Sequence, residues 1–116
     1  MAGVPNADQA TVENRKITDY LLSGDHPAGR AKATFFTTVG FDRSKWRRLR
    51  NALLRHAQSG TVTSVNETRF GNKYTVEGPL RTPSGRAPLV RSIWFVRNGE
   101  TAARLVSAYP IPERRK

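Results

Sequence analysis

The sequence predicts an α+β fold in one domain: two to three N-terminal helices, then a four-stranded antiparallel β-meander. Three observations carry that expectation. Between Glu13 and Ala57, apolar residues recur at spacings of three and four, the period of helices half-sunk in a core. From Thr61 onward the chain turns to β-branched and aromatic residues. Turn signals at Phe70-Gly71, Thr82-Pro83-Ser84-Gly85 and Asn98-Gly99 then divide this second half into four strands.

Residues 1–12 read as a flexible leader, 13–110 as the domain and 111–116 as a frayed basic tail. A first helix is expected over Glu13–Leu22, with Ile17, Tyr20 and Leu21 facing inward and Gly24 as a left-handed residue just past its end. A second should start at Asp25 or His26, with Pro27 in its first turn, and close at Gly40. Phe35, Phe36 and Val39 supply its buried stripe. Asp42 is expected to cap a third helix, with Trp46, Leu49, Leu53 and Ala57 inward and Arg48, Asn51 and Arg55 opposite.

Thr61–Thr68 and Asn72–Leu80 should pair as a hairpin, followed by a second between Arg86 and Pro110. In the first arm of the latter, Leu89, Ile93 and Phe95 fill one alternating set and Val90, Trp94 and Val96 the other. A strand apolar on both sides predicts a central position, covered on each face. Asn98-Gly99 predicts a tight turn with both residues at positive φ. Arg91, Arg104, Ser107 and Tyr109 are the polar exceptions, and a site would be expected to use them.

A chain of 116 residues with no cysteine can bury a core but cannot build disulfides or zinc–thiolate centres. Residues 1–16 lack a signal-peptide core, and no run approaches the ~20 apolar residues of a membrane helix, so a cytoplasmic protein without membrane contact is expected, unless delivered into another cell. Twenty Lys and Arg against nine Asp and Glu give a net charge of +11 and an isoelectric point near 11.3. That imbalance favours a polyanionic partner, nucleic acid first and an acidic protein second.

The nine carboxylates are scattered, which disfavours a two-metal nuclease. No P-loop, dinucleotide-binding or nucleophile-elbow motif is present, and neither cofactor nor metal is expected. Cations, hydroxyls and histidine remain. RNA supplies its own nucleophile, the 2′-OH, so cleavage needs only a base, cations for the phosphorane and an acid for the 5′-oxygen. His26, at an expected helix start, and Lys32, flanked by Ala31 and Ala33, are the candidates for base. Arg91 would pair with Glu77 or Glu67 if structural, or grip a phosphate if functional. Ser107 and Tyr109, two residues apart, share a strand face. His56, near a helix C-terminus, reads as a structural, charged residue complementing the dipole. Arg30, Arg43, Arg47, Arg48, Arg55, Lys73 and Arg104 are candidate nucleic-acid contacts.

Several segments also carry a family likeness: Y-L-L-S-G-D-H-P-A-G-R-A-K-A-T-F-F (Tyr20–Phe36), Y-T-V-E-G-P-L (Tyr74–Leu80), R-S-I-W-F-V (Arg91–Val96) and R-L-V-S-A-Y-P (Arg104–Pro110). They resemble an uncharacterised family of small bacterial domains with a His-Pro-x-Gly-x-x-Lys-Ala-x-Phe-Phe motif and an Arg-Leu-Val-Thr-Ala-Tyr-Pro end, some members toxin-like. Here Ser107 replaces the threonine and keeps its hydroxyl, and Ala103 stands where proline is usual. In layout the chain is similar to the barnase–EndoU–colicin–RelE group of metal-independent toxin ribonucleases. That resemblance implies an RNA-cleaving toxin domain, with His26, Lys32, Arg91, Ser107 and Tyr109 at its site and an acidic antitoxin or immunity protein as partner. The alternatives are a non-catalytic basic nucleic-acid-binding module, or a phage or secretion accessory that binds an acidic protein.

Overall fold

The computed structural model describes residues 3–24 and 30–111. Its second half is the expected meander: β1 (Thr61–Thr68), β2 (Gly71–Pro79), β3 (Leu89–Arg97) and β4 (Arg104–Pro110), antiparallel in that order. The fold is α+β, helices first and sheet second. Alternation along the inner strands sorts the side chains. Val76, Val90, Ser92 and Trp94 are wholly buried on one face, with Leu105 and Ala108 of β4 beside them. Leu105 and Ser107 are two residues apart and would share a face in a regular strand. A bulge at Val106 separates them: Leu105 stands opposite Trp94 in the core and Ser107 opposite Ile93 on the other face.

That other face corrects the expectation of a sheet covered on both sides. β3 is indeed an inner strand, yet Leu89 is 47 % exposed and Arg91, Ile93 and Phe95 are half-buried. The helices precede the sheet in the chain, and the longest of them is spent on the opposite face. Asn98-Gly99 also differs from expectation. Glu100 N–H closes a four-residue turn on the Arg97 carbonyl, and Gly99 (φ 84°) but not Asn98 takes positive φ. β4 resumes only at Arg104, so the connection is a loop rather than a two-residue hairpin.

The first helix is an α-turn, α1 (Asn14–Lys16), that widens into a π-helical turn over Ile17–Leu21. Ile17 and Leu21 are buried, as their spacing requires. Gly24 is not left-handed; Leu22 N–H ends the turn on the Ile17 carbonyl. The second helix, α2, is described over Arg30–Thr38, and the expected cap at Asp25 or His26 lies outside the described residues. Its end is as expected: Gly40 at φ 104° lets Phe41 N–H reach the Phe36 carbonyl. Asp42 caps a short 3₁₀ turn, Arg43–Lys45, by accepting from Ser44 N–H, which holds its carboxyl below the usual range. The turn feeds α3 (Trp46–Ser59), whose Leu49, Ala52, Leu53, His56 and Ala57 face the sheet.

Residues 3–12, expected as a leader without fixed structure, are fastened to this frame. Gly3 and Val4 donate to the carbonyls of Gly60 and Ala57, and Thr11 bridges to β4 at Arg104. Val4 and Val12 are buried, so apolar contact offsets the cost of ordering the segment.

Where α3 meets β2 the backbones approach closely. A Cβ on Gly60 would stand 2.5 Å from Val76 Cγ1 and 2.8 Å from the His56 carbonyl, whereas one on Gly78 would meet nothing nearer than 3.4 Å. Gly60→Ala should therefore destabilise the fold by about 1–3 kcal/mol through overpacking, and Gly78→Ala by clearly less. Urea denaturation of both variants checks this; equal losses would refute the close approach at Gly60.

Candidate functional site

The open face beside β4 collects four of the five residues singled out as chemical. Cross-strand register puts Glu77, Arg91 and Tyr109 in one row and Thr75, Ile93 and Ser107 in the next. Arg91 donates through Nε (2.8 Å) and a terminal nitrogen (2.7 Å) to Glu77 Oε2. Of its two expected structural partners it has therefore taken Glu77, and Glu67 lies elsewhere, opposite Asn72. The guanidinium also lies 5.8 Å from the centre of the Tyr109 ring. The Tyr109 hydroxyl first, and the Glu77 carboxylate second, raise its pKa further above an already high value. Arg91 is thus a fixed cation, with its side chain 36 % exposed.

Lys32 arrives from α2 around the β4 edge. Its Nζ stands 5.8 Å from the Tyr109 ring centre and 5.5 Å from that of Tyr20. Tyr20 belongs to the π-helical turn, and its hydroxyl is 3.0 Å from Ser107 Oγ. Both hydroxyls open into a cleft of about 500 Å³ walled by Lys16, Asp19 and Val106. Lys16 Nζ packs against the same Tyr20 ring at 5.5 Å. Lys32, Arg91, Ser107 and Tyr109 are therefore neighbours, joined by Tyr20. His26, the fifth candidate, lies outside the described residues.

Tyr20 was legible only as a member of an apolar stripe. Two features of the sequence could have marked it: a hydroxyl in that stripe, and its place in the Tyr-Leu-Leu segment leading to His26 and Lys32. What could not be foreseen was the π-turn, a distortion often found at functional sites, which here sets Tyr20 against Ser107.

The remaining cations do not converge here. Arg104 pairs with Glu100 at 3.4 Å and stands opposite Phe95, four residues along β3 from Arg91, roughly 13 Å away at the rise of a strand. It is thus set apart from Arg91 along the sheet. Arg43 is paired with Asp19 at 3.3 Å, Arg30 hydrogen-bonds the Gly24 carbonyl, and Lys73 is exposed on β2 opposite Phe95. Arg47 stacks on Trp46 at 4.7 Å, while Arg48 and Arg55 lie along α3 on the helical side. Among the described residues, no three His, Asp or Glu side chains gather as metal ligands would, and no helix is long and apolar enough to cross a membrane.

His56 is structural, but not in the charged form expected. It is 2 % exposed, its Nε2–H donates to the Gly78 carbonyl (3.0 Å), and its Nδ1 faces Ser92 Oγ (2.8 Å). Trp94 Nε1–H donates to that same Oγ at 2.8 Å, which leaves the serine proton available to Nδ1, the arrangement that suits a buried, neutral imidazole. Burial, the largest influence, pushes its pKa down, against smaller opposing pulls from the Gly78 and Val90 carbonyls.

No curated protein matches this chain. Among solved structures, a chain of the contact-dependent growth inhibition toxin–immunity protein complex from Klebsiella pneumoniae 342 has the same fold. The TM-score is 0.71 at 19 % identity, over 92 % of this chain and 97 % of that one. Residues 3–112 match the family model described as "Domain of unknown function (DUF6883)", and the chain belongs to that family.

Proposed function

We propose that this chain is a ribonuclease-like toxin domain that cleaves RNA through the 2′-OH without a metal. The observation that carries the reading is the convergence of Lys32, Arg91, Ser107, Tyr109 and Tyr20 beside β4. In the reaction the 2′-oxygen attacks phosphorus, the bond from phosphorus to the 5′-oxygen breaks, and a 2′,3′-cyclic phosphate forms. Arg91, held from behind by Glu77, grips the non-bridging oxygens. Lys32, set against two tyrosine faces as suits an ammonium, stabilises the added negative charge. The Tyr109 hydroxyl delivers a proton to the 5′-oxygen, and Ser107 with Tyr20 orients the ribose. His26, the one imidazole of the motif segment, takes the 2′-OH proton.

The likeness in fold to a chain of a toxin–immunity complex supports a toxin setting, and a net charge of +11 supports an acidic immunity protein as partner. The test is incubation with an RNA oligonucleotide in EDTA, beside the same oligonucleotide carrying 2′-deoxyribose throughout. Cleavage of the RNA to cyclic-phosphate ends, with the deoxy strand intact, is expected. RNA that is retarded on a gel but stays whole would replace the enzyme by a binding module.

A further inference from the structure

We propose that a second site, the cleft between α3 and the β2–β3 connection, binds backbone phosphates of the same polynucleotide. Arg48, Asn51 and Arg55 are spaced i, i+3 and i+7, and so share one face of α3. Arg81 and Thr82 face them from the stretch after β2. Two adjoining depressions, about 360 and 250 Å³, share Ala52, Arg55 and Arg81, and no carboxylate lines either. Arg43, Arg91 and Arg104 each carry an acidic partner, and Arg47 and Arg50 stack on Trp46. Arg48, Arg55 and Arg81 have neither among the described residues. Three like charges left uncompensated around one concavity repel each other, and nothing in the fold uses them.

The lining selects the occupant. Guanidinium forks with an amide and a hydroxyl are phosphate-positioning groups. An interface for an acidic protein would be expected to offer an apolar or aromatic anchor, and the one aromatic here, Phe41, is 3 % exposed. Position fits as well. Arg81 follows Pro79, which pairs with Leu89 at the end of the sheet, and Arg91 is two residues inside that same end. A strand seated at Arg91 and Tyr109 on the open face can therefore continue over this end into the cleft. The inference rests on the proposal that the substrate is RNA.

The test uses a labelled single-stranded 2′-deoxy oligonucleotide, which the proposed chemistry cannot cut, and reads its affinity by anisotropy across salt concentrations. The triple variant Arg48→Gln, Arg55→Gln, Arg81→Gln should flatten the log K against log salt slope by about 2, at roughly 0.7 per lost phosphate contact. Arg81→Gln alone should flatten it by about 0.7, which covers the case of a triple variant that folds poorly. Arg69→Gln, Arg97→Gln removes two charges at the opposite end of the sheet and should leave the slope unchanged. Equal flattening per charge removed in both sets of variants would reduce the effect to net charge and overturn the site. So would a wild type that does not bind, or groove variants that lose affinity for poly-L-glutamate but keep the oligonucleotide slope, which would assign the cleft to an acidic polypeptide. The two proposals fail separately. Groove-dependent binding without RNA cleavage refutes the ribonuclease alone, and cleavage with an unchanged slope refutes the groove alone.

Discussion

Combining Arg91→Ala with Tyr109→Phe should lower the rate of RNA cleavage by about 10³-fold or more, some 4 kcal/mol of transition-state stabilisation. Each side chain alone should cost about 10²–10³-fold, the usual effect of deleting one group that meets developing charge or a moving proton. The double loss should fall short of the product, because the guanidinium and the phenol touch and act as a unit. The fold should barely notice. The Arg91–Glu77 pair has side chains 36 % and 31 % exposed, so its removal costs no more than about 1 kcal/mol, and phenylalanine preserves the ring of Tyr109. Cleavage rates and melting temperatures of the singles and the double decide the matter. A double variant that cleaves like wild type would move the chemistry away from this face.

The second large effect concerns His56. His56→Leu should destabilise the domain by about 2–5 kcal/mol, since the Ser92 hydroxyl proton and the Gly78 carbonyl each lose a partner in a dry environment. Against a typical total of about 5–15 kcal/mol, that is a severe loss. The same group makes stability depend on pH. Its pKa is depressed in the fold, so below the ordinary value of 6.5 the unfolded chain binds the proton more readily than the folded one. The contribution is complete above pH 6.5 and declines as pH falls toward the lowered folded value, by at most about 1.4 kcal/mol per unit. His56→Gln can still hydrogen-bond and should abolish the slope between pH 6.5 and 5. Denaturation curves across that range test it; a slope that survives the substitution belongs to other groups.

The sheet was readable because turn chemistry and strand periodicity agree at the Phe70-Gly71 and Thr82-Pro83-Ser84-Gly85 boundaries, and the grouping of Arg91 with Tyr109 followed from polar residues breaking an apolar pattern. What lay beyond the sequence was set by long-range packing. Nothing local says that Arg43 should find Asp19, or that the Val106 bulge should send Leu105 inward and Ser107 outward. The π-turn that aims Tyr20 depends equally on what surrounds it. His56 is a different case. It falls at i+7 from Leu49 and i+3 from Leu53, on the buried stripe itself, and that spacing predicts a neutral core histidine over a charged one at a helix end. Residues 3–12 misled for the opposite reason: their composition is that of a loose tail, yet two buried valines and backbone hydrogen bonds to α3 and β4 dock them.

The bare face of the sheet has a consequence for how such a domain can change. Along β3, Val90, Ser92 and Trp94 are sealed beneath the helices, while Leu89, Arg91 and Ile93 look the other way. Neighbours in the chain thus answer to unrelated demands, one set to cohesion and the other to whatever lies against the surface. Substitutions on the outward set, half-buried at most, are screened for what they touch and less for folding than those on the inward set. A lineage built on this plan can exchange whatever it binds by rewriting every second residue while the scaffold beneath stays as it was.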